Sequence, residues 1–155
     1  MSAVNPHGVL SLLKEGTRHY SGLFEATVRN IQACRALSET TRTSLGPNGM
    51  NKLIIDSRNK LFVTSDAATI LKELEVIHPA AKMIVMASER QENEFGDGTN
   101  LVVAFCGELL LQAESLLTAG LHPSEIIAGY SKAGAHLHQE LEALAVHRID
   151  DLRNV

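Results

Sequence analysis

The chain has 155 residues, 45% of them apolar, which is enough for one domain with a buried core and too few for two. Its 14 basic and 18 acidic residues give a formal net charge of −4, and four Phe and two Tyr are its only aromatic residues. Nucleic-acid-binding surfaces need clustered positive charge and aromatic stacking platforms, so this composition argues against a nucleic-acid partner.

The cysteines and the apolar runs bear on the cellular compartment. Cys34 and Cys106 lie in segments with periodic apolar residues, which favours buried, reduced thiols over a disulfide or a metal pair. The first ten residues lack the basic and long apolar regions of a signal peptide. The longest apolar run, 101–106, is far shorter than the roughly 20 residues that span a bilayer. We therefore expect a cytoplasmic protein without a membrane partner.

A long helix is predicted in the first third of the chain, after a weakly patterned stretch at 1–20 that contains a short apolar segment at 9–13. The helix should run from near Ser21 to near Leu45, since Gly46-Pro47 cannot continue it. Apolar residues recur along one of its faces every three or four positions: Phe24, Val28, Ile31, Cys34 and Leu37.

A β-hairpin is predicted at Asn51 to Thr64. Two β-prone apolar arms, 53–55 and 61–63, flank a turn at 57–60. An isolated two-stranded hairpin is marginally stable in water, so we expect another element to cover it or to add a strand.

Four further helices are predicted, at 65–74, 79–94, from just after Asp97 to about Gly120, and from Pro123 to about His147. The third is apolar on every side in its first turns, which predicts burial at the domain centre. The fourth carries an apolar stripe: Ile126, Tyr130, Ala133, Leu137, Leu141 and Leu144. Met83 and Met86 are expected to be core or packing residues. The predicted fold is mainly α, a helical bundle with one β-hairpin.

Three short segments, 43–49, 65–69 and 96–100, have both a structural and a functional interpretation. Structurally, Gly46-Pro47 ends a helix, Ser65 or Asp66 caps the next, and Gly96 and Asp97 end one helix and cap another. Functionally, a helix start attracts phosphate, and Gly98 lets phosphate approach the backbone. Thr99 could add a hydroxyl, and Asp97 could bind Mg²⁺. The Walker pattern is absent from the sequence.

The segments TSLGPNGMNK, SDAATILKELEVIHPAAK and FGDGTN, in this order and spacing, resemble the group II chaperonins, the archaeal thermosome and the eukaryotic TRiC subunits. The resemblance extends from about Leu12 to Asn154. It implies that 1–148 is the N-terminal half of a chaperonin equatorial domain, which binds ATP. Residues 149–155 would then begin the connection to an intermediate domain.

The resemblance also implies a site for ATP or ADP with Mg²⁺. Asp97 takes the metal position, and Asp66 takes the position of an aspartate that orients the attacking water. The remaining nucleotide contacts fall on Leu45, Gly46, Pro47, Gly98, Thr99, Asn100 and Leu101.

Two departures from the family pattern affect this site. Ala67 stands where many members have a glycine, which would cost about 1 kcal/mol if a positive φ is needed there. Asn100 and Leu101 stand where many members have threonines, so two hydroxyls are lost.

The implied function is that of an ATP hydrolase subunit that folds non-native client proteins within a hetero-oligomeric double ring of paralogous subunits. The hairpin would pair with a neighbouring subunit. Intact subunits have further domains and a second catalytic aspartate, so we expect this chain to be a fragment that is inactive alone. A helical protein-interaction module without nucleotide is the alternative, and a standalone phosphate-binding enzyme is a weaker one.

Overall fold

The computed structural model describes residues 22–55 and 59–146. Within them lie five helices and one β-hairpin: α1 (Leu23–Arg42), β1 (Lys52–Ile55), β2 (Leu61–Thr64), α2 (Ala67–Glu73), α3 (Pro79–Phe95), α4 (Thr99–Thr118) and α5 (Pro123–Ala143). The prediction of a mainly helical fold with one hairpin is confirmed. The apolar segment at 9–13, the first half of the predicted turn at 57–60 and residues 149–155 lie outside the described residues.

Local signals account for several helix ends. Asp66 caps α2, since its carboxylate accepts a hydrogen bond of 2.7 Å from the Thr69 N–H. Pro79 opens α3, which ends at Gly96 with the left-handed φ of 74° that favours glycine at this position. α5 ends at Ala143, a turn earlier than the predicted His147, and α1 ends at Arg42 rather than near Leu45.

The hairpin is antiparallel, with Lys52 opposite Thr64 and Ile55 opposite Leu61. Its two faces differ. Ile54 is buried where α2 packs against β1. The opposite face exposes about 60% of each of its four apolar residues, which are Leu53, Ile55, Leu61 and Val63. One face of the hairpin is therefore covered by the described residues and the other is open.

The chain divides into two compact units, and the first extends to Leu111. Its core joins α1, α2, α3 and the first half of α4 through Cys34, Ala67, Leu71, Ile84 and Val103. Both cysteines are free, as predicted. Burial raises the pKa of the Cys34 and Cys106 thiols, so both are protonated at neutral pH.

Close packing of α1 on α4 depends on Gly107. A Cβ at this position would lie 2.2 Å from Ser38 Oγ and 2.5 Å from Ser38 Cβ. The Ser38 hydroxyl donates a hydrogen bond of 3.0 Å to the carbonyl of Val103. Gly107 therefore allows the two helices to approach to the distance at which this bond forms.

Two predictions about burial are wrong for the described residues. The start of α4 is buried on one side only: Val103 is inaccessible, while Leu101 and Phe105 are more than half exposed. Met83 and Met86 do not belong to the core, because about two-thirds of each is exposed. The apolar pattern identified both helices correctly, but the described neighbours cover only one face of each.

The second unit begins at Gln112. It contains the end of α4 and all of α5, with Ala113, Leu117 and Ile126 buried. Most of the predicted α5 stripe is exposed, as at Leu137 and Leu141.

Among the described residues, α4 is the one helix long and apolar enough to cross a membrane. Core helices of water-soluble proteins pass the same test, and the expectation of no membrane partner stays a prediction.

Candidate functional site

The three segments singled out in the sequence meet around a cavity of about 530 Å³ in the first unit. The volume lies in the range of small-molecule sites. The cavity is lined by residues from the loop after α1, the start of α2, the end of α3 and the start of α4: Ser44, Leu45, Gly46, Ser65, Asp66, Thr69, Glu92, Gly96, Asp97, Gly98, Thr99, Asn100 and Leu101. Of the predicted site residues, Pro47 alone is not among them.

Asp66 occupies the junction between β2 and α2. One of its carboxylate oxygens accepts from the Thr69 N–H at 2.7 Å, and the other accepts from the Thr99 hydroxyl at 2.6 Å. Partial burial by itself would raise the pKa of Asp66, but these hydrogen bonds outweigh it and hold the pKa below its ordinary value. The same ionised carboxylate therefore caps α2 and faces the cavity.

Ala67 fits its position without backbone strain. It is fully buried, it begins α2, and the described non-glycine residues with positive φ are Asn59 and Glu75. The possible cost of about 1 kcal/mol for an alanine in place of glycine therefore does not arise.

The loop between α3 and α4 is held by short-range hydrogen bonds. The Asp97 carboxylate accepts from the Gly98 N–H at 2.7 Å, and the Asp97 carbonyl accepts from Gln91 Nε2 at 2.9 Å. α4 begins at Thr99, and the Gly98 carbonyl accepts its bond from Val102 at 3.1 Å. Asp97 therefore precedes the capping position by one residue, which corrects the predicted N-cap and leaves its side chain exposed.

Gly98 is required by both its conformation and its surroundings. Its φ of 80° is left-handed, and a Cβ there would lie 3.2 Å from Gln91 Nε2. A side chain at this position would be strained and would crowd the Gln91 amide.

Sequence reasoning missed the other lining residues, Ser44, Ser65, Thr69 and Glu92, and also Gln91, which supports the loop. Ser44 is buried, and its hydroxyl donates to the Met50 carbonyl at 2.7 Å. Ser44, Ser65 and Thr69 lie inside the three segments, and this proximity was the available signal. Gln91 and Glu92 lie on the last turns of α3, directly before the 96–100 segment, and no motif in the sequence marks them.

The match to known proteins covers most of this chain. A model of the TCP-1/cpn60 chaperonin family matches residues 37–155. The chain belongs to this chaperonin family. It is 59% identical over 145 residues to T-complex protein 1 subunit theta of Dictyostelium discoideum, an alignment that covers 94% of this chain and 27% of that relative.

Two further relatives with the same name give similar values. The Arabidopsis thaliana protein is 58% identical, with 92% of this chain and 26% of the relative covered. The Homo sapiens protein is 58% identical, with 96% and 27% covered. The chain thus spans about a quarter of the length of the curated relatives it matches. The predicted chaperonin family is confirmed.

In this chaperonin chain, residues that end or cap helices also line the cavity. Gly96 and Asp66 end and cap helices as local rules require, and both also line the cavity. The described residues contain no group of three or more His, Cys, Asp or Glu placed to hold a metal. A Mg²⁺ ion could still be held by Asp97, because Mg²⁺ commonly takes one or two carboxylates and completes its shell with phosphate and water.

Proposed function

We propose that the cavity binds ATP as its magnesium complex. The observation that carries the proposal is the convergence of a helix N-terminus, a left-handed glycine and two carboxylates on one cavity, at α4, Gly98, Asp66 and Asp97. Carboxylates alone would repel an anion. Together with a helix start they suit a phosphate that arrives with its own cation.

Each residue has a role in this arrangement. The first N–H groups of α4 and the Gly98 backbone would contact the phosphates, and Asp97 would contact Mg²⁺, which neutralises phosphate charge. Asp66 is ionised and would orient the water that attacks the terminal phosphorus, with release of ADP and phosphate. The Thr99 hydroxyl, which donates to Asp66, would hold that carboxylate in place.

The wider function we propose is that of a chaperone subunit that uses ATP hydrolysis to fold non-native proteins in a cytoplasmic, hetero-oligomeric double ring. Family membership and the name of the theta relatives support it. We also propose that 1–148 forms the N-terminal half of the equatorial domain and that 149–155 begins the connection to an intermediate domain.

The partner surface we propose for a neighbouring paralogous subunit is the hairpin. Four apolar side chains on its open face are about 60% exposed, and strand addition from another chain would bury them. Within the assembled ring, Val63→Lys should lower the assembled fraction measured by sedimentation. Unchanged assembly would contradict this assignment.

Nucleotide binding is tested by titrating the full chain with a fluorescent ATP analogue, with Mg²⁺ and with EDTA. We expect Mg²⁺-dependent binding that Asp97→Asn weakens at least about tenfold, because the amide can still accept from Gly98 but carries no charge for the metal. Glu94→Gln removes an equal charge from an exposed residue outside the cavity lining and should leave the affinity for the analogue unchanged. Absence of binding would favour a helical interaction module instead.

Hydrolysis by the chain alone should be far slower than in an assembled ring. Leu45, Asp97 and Leu101 line the cavity and are exposed, so water surrounds the site and weakens the electrostatic stabilisation of the transition state. The test is to measure the rate of phosphate release from ATP for the chain alone and, in parallel, for an assembled ring. Equal turnover would mean that the chain is a complete catalytic unit.

A further inference from the structure

The side chain of Asn100 joins separate segments of the cavity wall. Its Nδ2 donates to the Ser44 carbonyl at 3.0 Å and to the Ser65 carbonyl at 2.9 Å. Its Oδ1 accepts from the Ala67 N–H at 2.6 Å. One residue on the first turn of α4 is thus bonded to the loop after α1, the loop after β2 and the first residue of α2.

These bonds use both amide protons. The single proton of the Thr99 hydroxyl goes to Asp66 at 2.6 Å rather than to Asn100 Oδ1 at 3.4 Å. A phosphate offers only acceptors to a protein donor, and the Asn100 side chain has no donor left to give it. Direct contact between this side chain and a phosphate would therefore break one of the bonds that tie the loops together.

We propose that Asn100 is a positioning residue, whose side chain sets the spacing of the three cavity segments instead of contacting the nucleotide. The inference rests on the proposed nucleotide site and specifies how that site keeps its shape. It also explains a departure from the family pattern, because a threonine here has one hydroxyl proton and a shorter reach and cannot replace two donors and one acceptor.

Burial makes these bonds important. Ala67 is fully buried and Ser44 is 5% exposed, so a lost partner would leave polar backbone groups away from bulk water. The Ala67 N–H belongs to the first turn of α2, where no carbonyl of the same helix is available to it. Asn100 therefore holds the start of α2, and with it Asp66, in register with α4.

The test uses the full chain and two substitutions. Asn100→Leu keeps a similar volume and removes every polar contact, and it should weaken Mg-ATP analogue binding about tenfold. Asn100→Thr keeps one donor, and its affinity for the analogue should lie between that of Asn100→Leu and that of the unaltered chain. The backbone N–H of Ala67, followed by hydrogen exchange in NMR spectra, should exchange at least about tenfold faster in Asn100→Leu.

Two controls separate positioning from general destabilisation. Ile31→Ala removes a buried side chain that neither lines the cavity nor belongs to the core cluster around Ala67, so it should lower thermal stability without changing nucleotide affinity measured well below its unfolding temperature. Asn93→Leu makes the same chemical change at an exposed residue of α3 and should leave both readouts unchanged.

Nucleotide affinity within twofold of the unaltered chain in folded Asn100→Leu would overturn the proposal. Should Asn100→Leu not fold, an affinity of Asn100→Thr equal to that of the unaltered chain would overturn it in the same way. A chain that binds no nucleotide even unaltered would refute the proposed function instead. In that case the exchange rate at Ala67 alone decides whether Asn100 positions the loops.

Discussion

The cavity region and helix α5 differ in what surrounds their side chains. Around the cavity, the side chains of Gln91 and Asn100 bind the backbone of neighbouring segments, and the core beneath includes fully buried Val103. Along α5, Leu137 and Leu141 are about half exposed although they continue a regular apolar stripe. The first region is packed by its own chain, whereas the second presents an apolar face.

This difference shows that an apolar pattern along a helix does not by itself predict burial. A helical period tells which face of a helix is apolar, but burial depends on which neighbours are present. An apolar face left in solvent is typical of an interaction surface. Substitutions that are identical in chemistry should therefore have different effects in the two regions.

The largest contrast is expected from removing a leucine side chain in each region. Leu71 is 1% exposed in the core, so Leu71→Ala should lower the free energy of unfolding by about 2–5 kcal/mol. Leu141 is 55% exposed, and Leu141→Ala should change the free energy of unfolding by less than about 0.5 kcal/mol. Urea unfolding of the full chain measures both. A large loss in Leu141→Ala would mean that α5 is packed in solution.

A smaller contrast of opposite sign is expected for glycine to alanine. Gly107→Ala forces a Cβ into Ser38 and should destabilise the chain by about 1–3 kcal/mol. Gly129 and Gly134 lie at exposed positions of α5. Apart from the adjacent residues and the backbone of the helix itself, no described atom lies within 4 Å of where an added methyl group would sit, so alanine there should stabilise the chain by about 0.5–1 kcal/mol. Thermal unfolding followed by circular dichroism measures both the destabilisation by Gly107→Ala and the stabilisation by alanine in α5. Equal effects at Gly107 and Gly129 would contradict the close helix contact.

The smallest effect concerns pH. The folded-state pKa of Asp66 lies below its ordinary value, because hydrogen bonds from Thr99 and Thr69 outweigh the opposing effect of partial burial. Its ionised form therefore stabilises the fold above the ordinary pKa near 4, and this contribution is lost as pH falls through the folded pKa. Asp66→Asn should be less stable than the unaltered chain at pH 7, by no more than about 1 kcal/mol.

Unfolding measured between pH 7 and pH 3 checks this, and the difference between the two chains should narrow below about pH 4. Asp66→Ala is the control, since it loses the cap at every pH and should cost about 1 kcal/mol at pH 7. A gap between Asp66→Asn and the unaltered chain that widens toward low pH would reverse the sign and disprove the role of the carboxylate.

Much of the local structure was predictable from particular residues. Gly96 ends α3, Asp66 caps α2 and Pro79 opens α3, each through chemistry confined to one helical turn. The three motif segments were also identified from the sequence, and the structure brings them together. The predicted Asp97 cap was wrong by one residue because the left-handed Gly98 carries the first helical carbonyl.

The helices, the two arms of the hairpin and the family could be predicted from the sequence, because they depend on periodicity, caps and motif order within short stretches of chain. Packing between distant parts of the chain sets the bonds that join Asn100 to three segments. It also decides that Met83 faces solvent. Such contacts join residues up to 56 positions apart, and no local propensity specifies which distant backbone group a polar side chain will meet.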